Sequence, residues 1–132
     1  MTRRTWLTIA AAAPLLPAQS EGPARKAAEK WLALIDQGNY KDAYKQGSRH
    51  GQDHATFEEW EPQVRAMRDG VGAMQQRNFT SAKATKSMAG APDGDYMVLE
   101  FASAFAKKAK ASESVMMSRE GGTWKGCGYF IN

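Results

Sequence analysis

The chain has 132 residues, with 18 lysines and arginines against 14 aspartates and glutamates, two histidines and one cysteine. That length makes a single domain the default, and a lone cysteine excludes an intramolecular disulfide. The formal charge of +4 is spread through interleaved pairs such as Arg25-Lys26 beside Glu29-Lys30, which argues against the concentrated basic face a nucleic-acid binder needs to displace counterions.

The N-terminus reads as a leader. Arg3 and Arg4 supply a positive first region, and Trp6 to Leu16 a largely apolar stretch of 11 residues. Pro14 and Pro17 break any helix there, and the small residue Ala18 suits a peptidase subsite. The stretch is shorter than the ~20 residues needed to span a bilayer core. Thr2-Arg3-Arg4-Thr5-Trp6-Leu7 is similar to the twin-arginine export signal, with Trp6 where phenylalanine is usual. Residues 1–18 are therefore expected to be a signal peptide, sending the protein to the periplasm or outside the cell by the Sec or twin-arginine route. Residues 19–132 form one domain with no membrane span after cleavage. No cysteine near the cleavage position offers a lipid anchor. With Arg3 and Arg4 gone, 16 basic residues face 14 acidic ones, a charge of +2 on about 114 residues. A domain of that size buries about two-thirds of its unfolded surface, enough for a core without staples.

Three helical patterns follow. Pro23 suits a first helical position. Ala24, Ala27, Ala28, Trp31 and Ile35 then recur at helical spacing, widened by Leu32 and Leu34, and Gly38 ends the helix. Asn39 caps a short second helix with Tyr40, Ala43 and Tyr44 on one face. Ser48 to His54 is polar, with Gly47 before it and Gly51 inside, and reads as a loop. Thr56-Phe57-Glu58-Glu59 is a capping-box pattern. Phe57, Trp60, Val64, Met67, Val71 and Met74 then step by three and four, with Pro62 pointing to a regular helix only from Glu61.

After Gly72 the pattern changes to strands. Asn78 to Met88 alternates weakly. Pro92-Asp93-Gly94 is a turn, since proline presets φ and glycine accepts a positive one. Tyr96 to Phe105 places Met97, Leu99, Phe101 and Phe105 on one face. Lys107, Lys108 and Lys110 fall at an expected hairpin tip. Glu113 to Arg119 and Trp124 to Ile131 flank Gly121-Gly122, a two-residue hairpin turn. Counting outward from that turn pairs Arg119 with Trp124, Met117 with Gly126, Val115 with Gly128 and Glu113 with Phe130. It leaves Met116, Cys127, Tyr129 and Ile131 on the other face. Such a sheet, apolar on both faces, needs cover on both. The expected class is α+β: N-terminal helices packed on a curved four-stranded antiparallel meander.

Few residues suggest chemistry. His50 and His54, with Asp53 between them, lie in the predicted loop without a third ligand at a useful spacing, so no metal site is expected. Glu100 and Glu113 sit on neighbouring strands, where paired carboxylates can do acid/base work, but salt bridging with nearby lysines is the simpler reading. No Gly-x-Ser-x-Gly occurs and no serine is paired with a histidine in sequence. Cys127 sits in an apolar run, with no neighbour to make its thiolate. Arg68 flanks the third helix's apolar stripe and Arg77 marks the change from helix to strand. Arginines so placed bridge carboxylates or clamp an anionic ligand at a pocket mouth. Tyr96 and Tyr129 can present hydroxyls at a pocket wall.

Four stretches stand out together: Trp31-Leu32 through Asp36, Gly38, Tyr40, Ala43 and Tyr44; Arg68, Val71-Gly72 and Arg77; Ala91 to Tyr96, leading into Phe101 and Phe105; and Glu113 and Val115 through Trp124-Lys125 to Gly128-Tyr129-Phe130-Ile131. In order and spacing they resemble a family of small exported bacterial domains, the domain of unknown function 4019 family. Tyr44 stands where that pattern has tryptophan, and Gly126 where it has a β-branched residue. The resemblance implies a cone-like architecture of the cystatin or nuclear-transport-factor kind. That architecture hosts ligand binding, isomerases, dehydratases and dimerisation alike, so it selects no activity. The expectation is a non-catalytic module with no cofactor, binding a small ligand or a protein partner, with a homodimer through the sheet as one form of the latter. Arg68, Arg77, Tyr96, Glu100 and Tyr129 would supply its polar contacts. The alternative is a small cone-type enzyme using general acid/base catalysis.

Overall fold

The computed structural model describes residues 15–132, with side chains from residue 21 onward. The arginines and most of the apolar stretch assigned to the leader lie outside the described residues. Four helices, α1 (Leu15–Asp36), α2 (Tyr40–Lys45), α3 (Arg49–His54) and α4 (Phe57–Val71), precede four strands, β1 (Met74–Thr85), β2 (Tyr96–Phe105), β3 (Lys108–Glu120) and β4 (Thr123–Ile131). The strands form one open antiparallel sheet in chain order, β1-β2-β3-β4. This is the α+β fold expected. No described helix is long and apolar enough to cross a membrane.

The helices depart from the sequence reading in four ways. Helix α1 begins at Leu15, so no break occurs at Pro17, and it runs on through Pro23. The ring costs one helical hydrogen bond, and Gly22, lacking a Cβ, removes the usual clash with the residue before proline. Ser48 to His54 is a helical turn and not a loop, because the Ser48 hydroxyl accepts from the Gly51 N–H at 2.9 Å and caps α3. Helix α4 starts at Phe57 despite Pro62, held there by the reciprocal capping box of Thr56 and Glu59. Met74 leaves the helical stripe and opens β1, since Gly72 ends α4 at φ 82°, a conformation that favours glycine, and a Cβ there would press on Ala106 Cβ and Lys107 Cγ at 3.2 Å.

The core lies between α1 and the sheet. Ala24, Ala28, Trp31, Leu32 and Ile35 recur at helical spacing and pack on Met97, Leu99 and Phe101 of β2 and Val115 and Met117 of β3. Gly38, at φ 75°, ends α1 in a Schellman motif, donating to Ile35 C=O at 3.0 Å while Asn39 donates to Leu34 C=O at 2.8 Å. Asn39 then caps α2. Trp31, 5% exposed, donates its indole N–H to Ala43 C=O at 2.8 Å and ties α1 to α2.

Pairing in the last hairpin starts as counted and then slips. Arg119 faces Trp124 and Met117 faces Gly126, but Met116 faces Gly128, Val115 faces Tyr129 and Glu113 faces Ile131. Cys127 is the extra residue of a β-bulge. It turns Tyr129, not Gly128, to the core face, and leaves Phe130, 60% exposed, on the outer one. The turn after β2 is also tighter than expected: it is Ala106-Lys107, and Lys108 and Lys110 belong to β3.

Candidate functional site

Six elements each send one polar side chain to a single cluster. Asp36 ends α1, where a carboxylate meets the unfavourable end of the helix dipole. Arg68 occupies the buried face of α4, four residues after Val64. Arg77 of β1 stands opposite Ser103 of β2 on the core face. Glu113 of β3, fully buried, is adjacent, and the bulge brings in Tyr129 of β4.

Arg77 binds both carboxylates. Its Nη1 donates to Asp36 Oδ2 at 2.8 Å and its Nη2 to Asp36 Oδ1 at 3.0 Å. Nε donates to Glu113 Oε1 at 2.7 Å and Nη2 to Glu113 Oε2 at 3.0 Å. Arg68 Nη1 donates to Asp36 Oδ1 at 2.8 Å, and its guanidinium carbon lies 5.1 Å from the Phe105 ring centre. Ser103 Oγ donates to Glu113 Oε1 at 2.5 Å, and the Tyr129 hydroxyl donates to Oε2. Two cations thus neutralise two anions, and Glu113 accepts four hydrogen bonds. Arg68 Nε is buried without a partner.

The ionisation of the cluster follows from these contacts. Burial raises the Asp36 carboxyl, but bonds and charge from Arg77 and then Arg68 outweigh it and hold it below its ordinary value. Burial likewise raises Glu113, and the bonds from Arg77, Ser103 and Tyr129 bring it below normal. Tyr129 is pushed well up by burial and by the adjacent Glu113 charge, so its hydroxyl stays a donor.

Of the five residues expected to contact a ligand, Arg68, Arg77 and Tyr129 converge here and are engaged with one another. Tyr96 and Glu100 lie on the opposite face of the sheet. The Tyr96 hydroxyl donates to Pro92 C=O and closes the preceding loop. Glu100 accepts from Ser114 Oγ at 2.7 Å and Ser112 Oγ at 3.4 Å. Glu113 is paired with Arg77 and not with the lysines of the hairpin. Asp36, Ser103 and Glu113 are not among those five, and Glu113 is read from sequence only as a strand carboxylate beside Glu100. Asp36 carries a signal in hindsight, an acidic residue closing a helix, whereas Ser103 carries none. His50 and His54 lie side by side on α3 with ring centres 4.4 Å apart, and no metal-binding group of three is found among the described residues.

Two concavities flank Trp31. A groove of about 590 Å³ runs between α1, the end of α2 and the β3–β4 hairpin. Trp31, Met117 and Gly126 are on its walls together with Ala27 and Trp124, and Lys26, Lys30, Lys45 and Lys125 stand around them. No aspartate or glutamate lines it. A pocket of about 170 Å³ lies among Trp31, Tyr44, Trp60 and Cys127. Tyr44 and Gly126, the two departures from the resembled pattern, both line this smaller pocket.

Fold and cluster together define an α+β domain whose helices are bolted to one face of an open antiparallel sheet by a buried ion network. The chain belongs to the family described as protein of unknown function (DUF4019), whose model matches residues 27–129 and so includes all six side chains of the network. No match to a curated protein was found.

Proposed function

We propose that the chain is an exported, non-catalytic binding domain that takes a small organic anion in the groove between α1 and the β3–β4 hairpin. The observation that carries this reading is the charge of the groove: four lysines and no carboxylate around an apolar floor. Among the described residues none of the four is ion-paired. Binding is favoured over acid/base catalysis because Arg77 and Glu113 satisfy each other, and Glu100 lies across the sheet from them. The volume suits a ligand of ordinary metabolite size. Trp124 and Ala27 would contact its apolar body while ammonium groups meet its charges.

Titration of the full chain with naphthalene-1,5-disulfonate tests this by calorimetry. Saturable binding that weakens with salt is expected, and Lys30→Gln and Lys125→Gln should each reduce affinity about two- to fivefold, the scale of a solvent-exposed ion pair. Binding of the disulfonate that ignores salt and both substitutions, or no binding, would overturn the proposal.

A further inference from the structure

The smaller pocket on the other side of Trp31 is chemically distinct from the groove, and we infer that it is a site for an uncharged, single-ring apolar molecule. Its volume of about 170 Å³ has room for a single ring, since an engineered cavity of ~150 Å³ takes up benzene. Three aromatic side chains from three helices frame it. Trp31 and Trp60 have ring centres 6.5 Å apart at 37°, and Tyr44 and Trp60 5.6 Å apart at 48°. No pair is stacked flat, so ring faces and edges remain for a guest.

The hydroxyl and amide groups on the wall are already used. The Tyr44 hydroxyl donates to Ala55 C=O at 2.6 Å. The Gln52 amide donates to Tyr44 C=O at 2.8 Å, and Ser48 Oγ accepts from Gly51 at 2.9 Å. His54 is exposed and lies beside His50, its ring tilted by 50°. A charged or strongly hydrogen-bonding guest would surrender its hydration with only the rim residue His54 free to replace it, which selects for an apolar one. Trp31, fixed by its bond to Ala43 C=O, lines both concavities and stands as the wall between them, so this site does not depend on the anion groove.

Titrating the isotope-labelled full chain with toluene, followed by amide and indole NMR shifts, tests the inference. Saturable shifts are expected at Gly47, Gly51, Gly126 and the indoles of Trp31 and Trp60. Toluene affinity should change less than twofold in the presence of naphthalene-1,5-disulfonate. Ala55→Leu, which adds bulk at the pocket wall, should weaken toluene at least tenfold. Absence of saturable shifts up to the solubility limit, shifts confined to other residues, displacement by the disulfonate, or unchanged affinity in a folded Ala55→Leu variant would each overturn it. Should that variant not fold, the wild-type shift map decides alone.

Discussion

The Tyr129 hydroxyl donates to the Glu113 carboxylate although the residue paired with Glu113 across the hairpin is Ile131. The contact exists because the bulge at Cys127 returns Tyr129 to the core face, diagonally beside Glu113. A hydrogen bond to a buried charge contributes about 1.5–3 kcal/mol. Tyr129→Phe keeps the ring and removes only that donor. It should therefore lower the unfolding free energy by about that amount in urea titrations, with the m-value unchanged.

Arg77 is the bridge of the network, and its loss strands the buried Glu113 and leaves Asp36 to Arg68 alone. Arg77→Met fills similar volume without charge, and should cost about 3–5 kcal/mol, the usual penalty for removing one partner of a buried pair. Arg77→Lys keeps the charge but cannot hold two carboxylates bidentately, so it should recover only part of the loss. Adding Glu113→Gln to Arg77→Met should recover more than Arg77→Lys does, because Arg68 and Asp36 then remain as a neutral pair and no buried carboxylate is left without a cation. Chemical denaturation of the four proteins at pH 7 reads the order directly.

The same network sets an acid limit. Asp36 and Glu113 lie below their ordinary values of 3.8 and 4.5 in the folded state, so the unfolded chain takes up protons first as pH falls. Their contribution is complete above about pH 5 and is lost progressively through 4.5 and 3.8 toward the folded values. Tyr129 has the opposite sign: its raised folded value favours folding below its ordinary 10.0 and that support is lost above it. Urea midpoints should form a plateau between those limits. In Glu113→Gln the acid fall should be shallower, and an unchanged acid limb there would contradict the assignment.

Strand β2 and the Gly38 and Asn39 boundaries were legible because each rests on a local rule: alternation, a positive φ, or a side-chain cap. The helix over Arg49–His54 was not, because its glycine masks a cap whose acceptor, Ser48, is also a common loop residue. The bulge was hidden for a different reason. Gly126-Cys127-Gly128 offers no side-chain alternation from which to count, so pairing beyond Met117 depends on what Tyr129 gains by reaching Glu113. The arginines were recognised as core-edge bridges, but their partners come from 32 to 41 residues away, a separation no local pattern records.

Cys127 should be slow to react in the native state. Burial first, and Glu120 second, push its thiol from 9.0 to about 11. At pH 8 the reactive thiolate fraction then falls about 100-fold. Labelling with a disulfide reagent should be correspondingly slower than for free cysteine, and should recover the free rate in denaturant. Native labelling at the free rate would show that the bulge opens readily.

Gly126 and Gly128 make a paired test of how rigid the wall behind Trp31 is. A Cβ on Gly126 would lie 2.4 Å from Trp31 Cδ2, inside a ring that is pinned by its bond to Ala43 and cannot retreat without breaking it. A Cβ on Gly128 would meet Met116 Cε at 2.7 Å, the free end of a flexible side chain that can rotate aside. Gly126→Ala should therefore cost about 2–3 kcal/mol, at the upper end of overpacking penalties, and Gly128→Ala about 1 kcal/mol or less. Trp31 also separates the groove from the pocket, so Gly126→Ala should disturb toluene and disulfonate binding together. Gly128→Ala should leave both intact. Equal costs for the two substitutions, measured by thermal and urea unfolding, would mean that the Trp31 anchor yields as easily as the methionine.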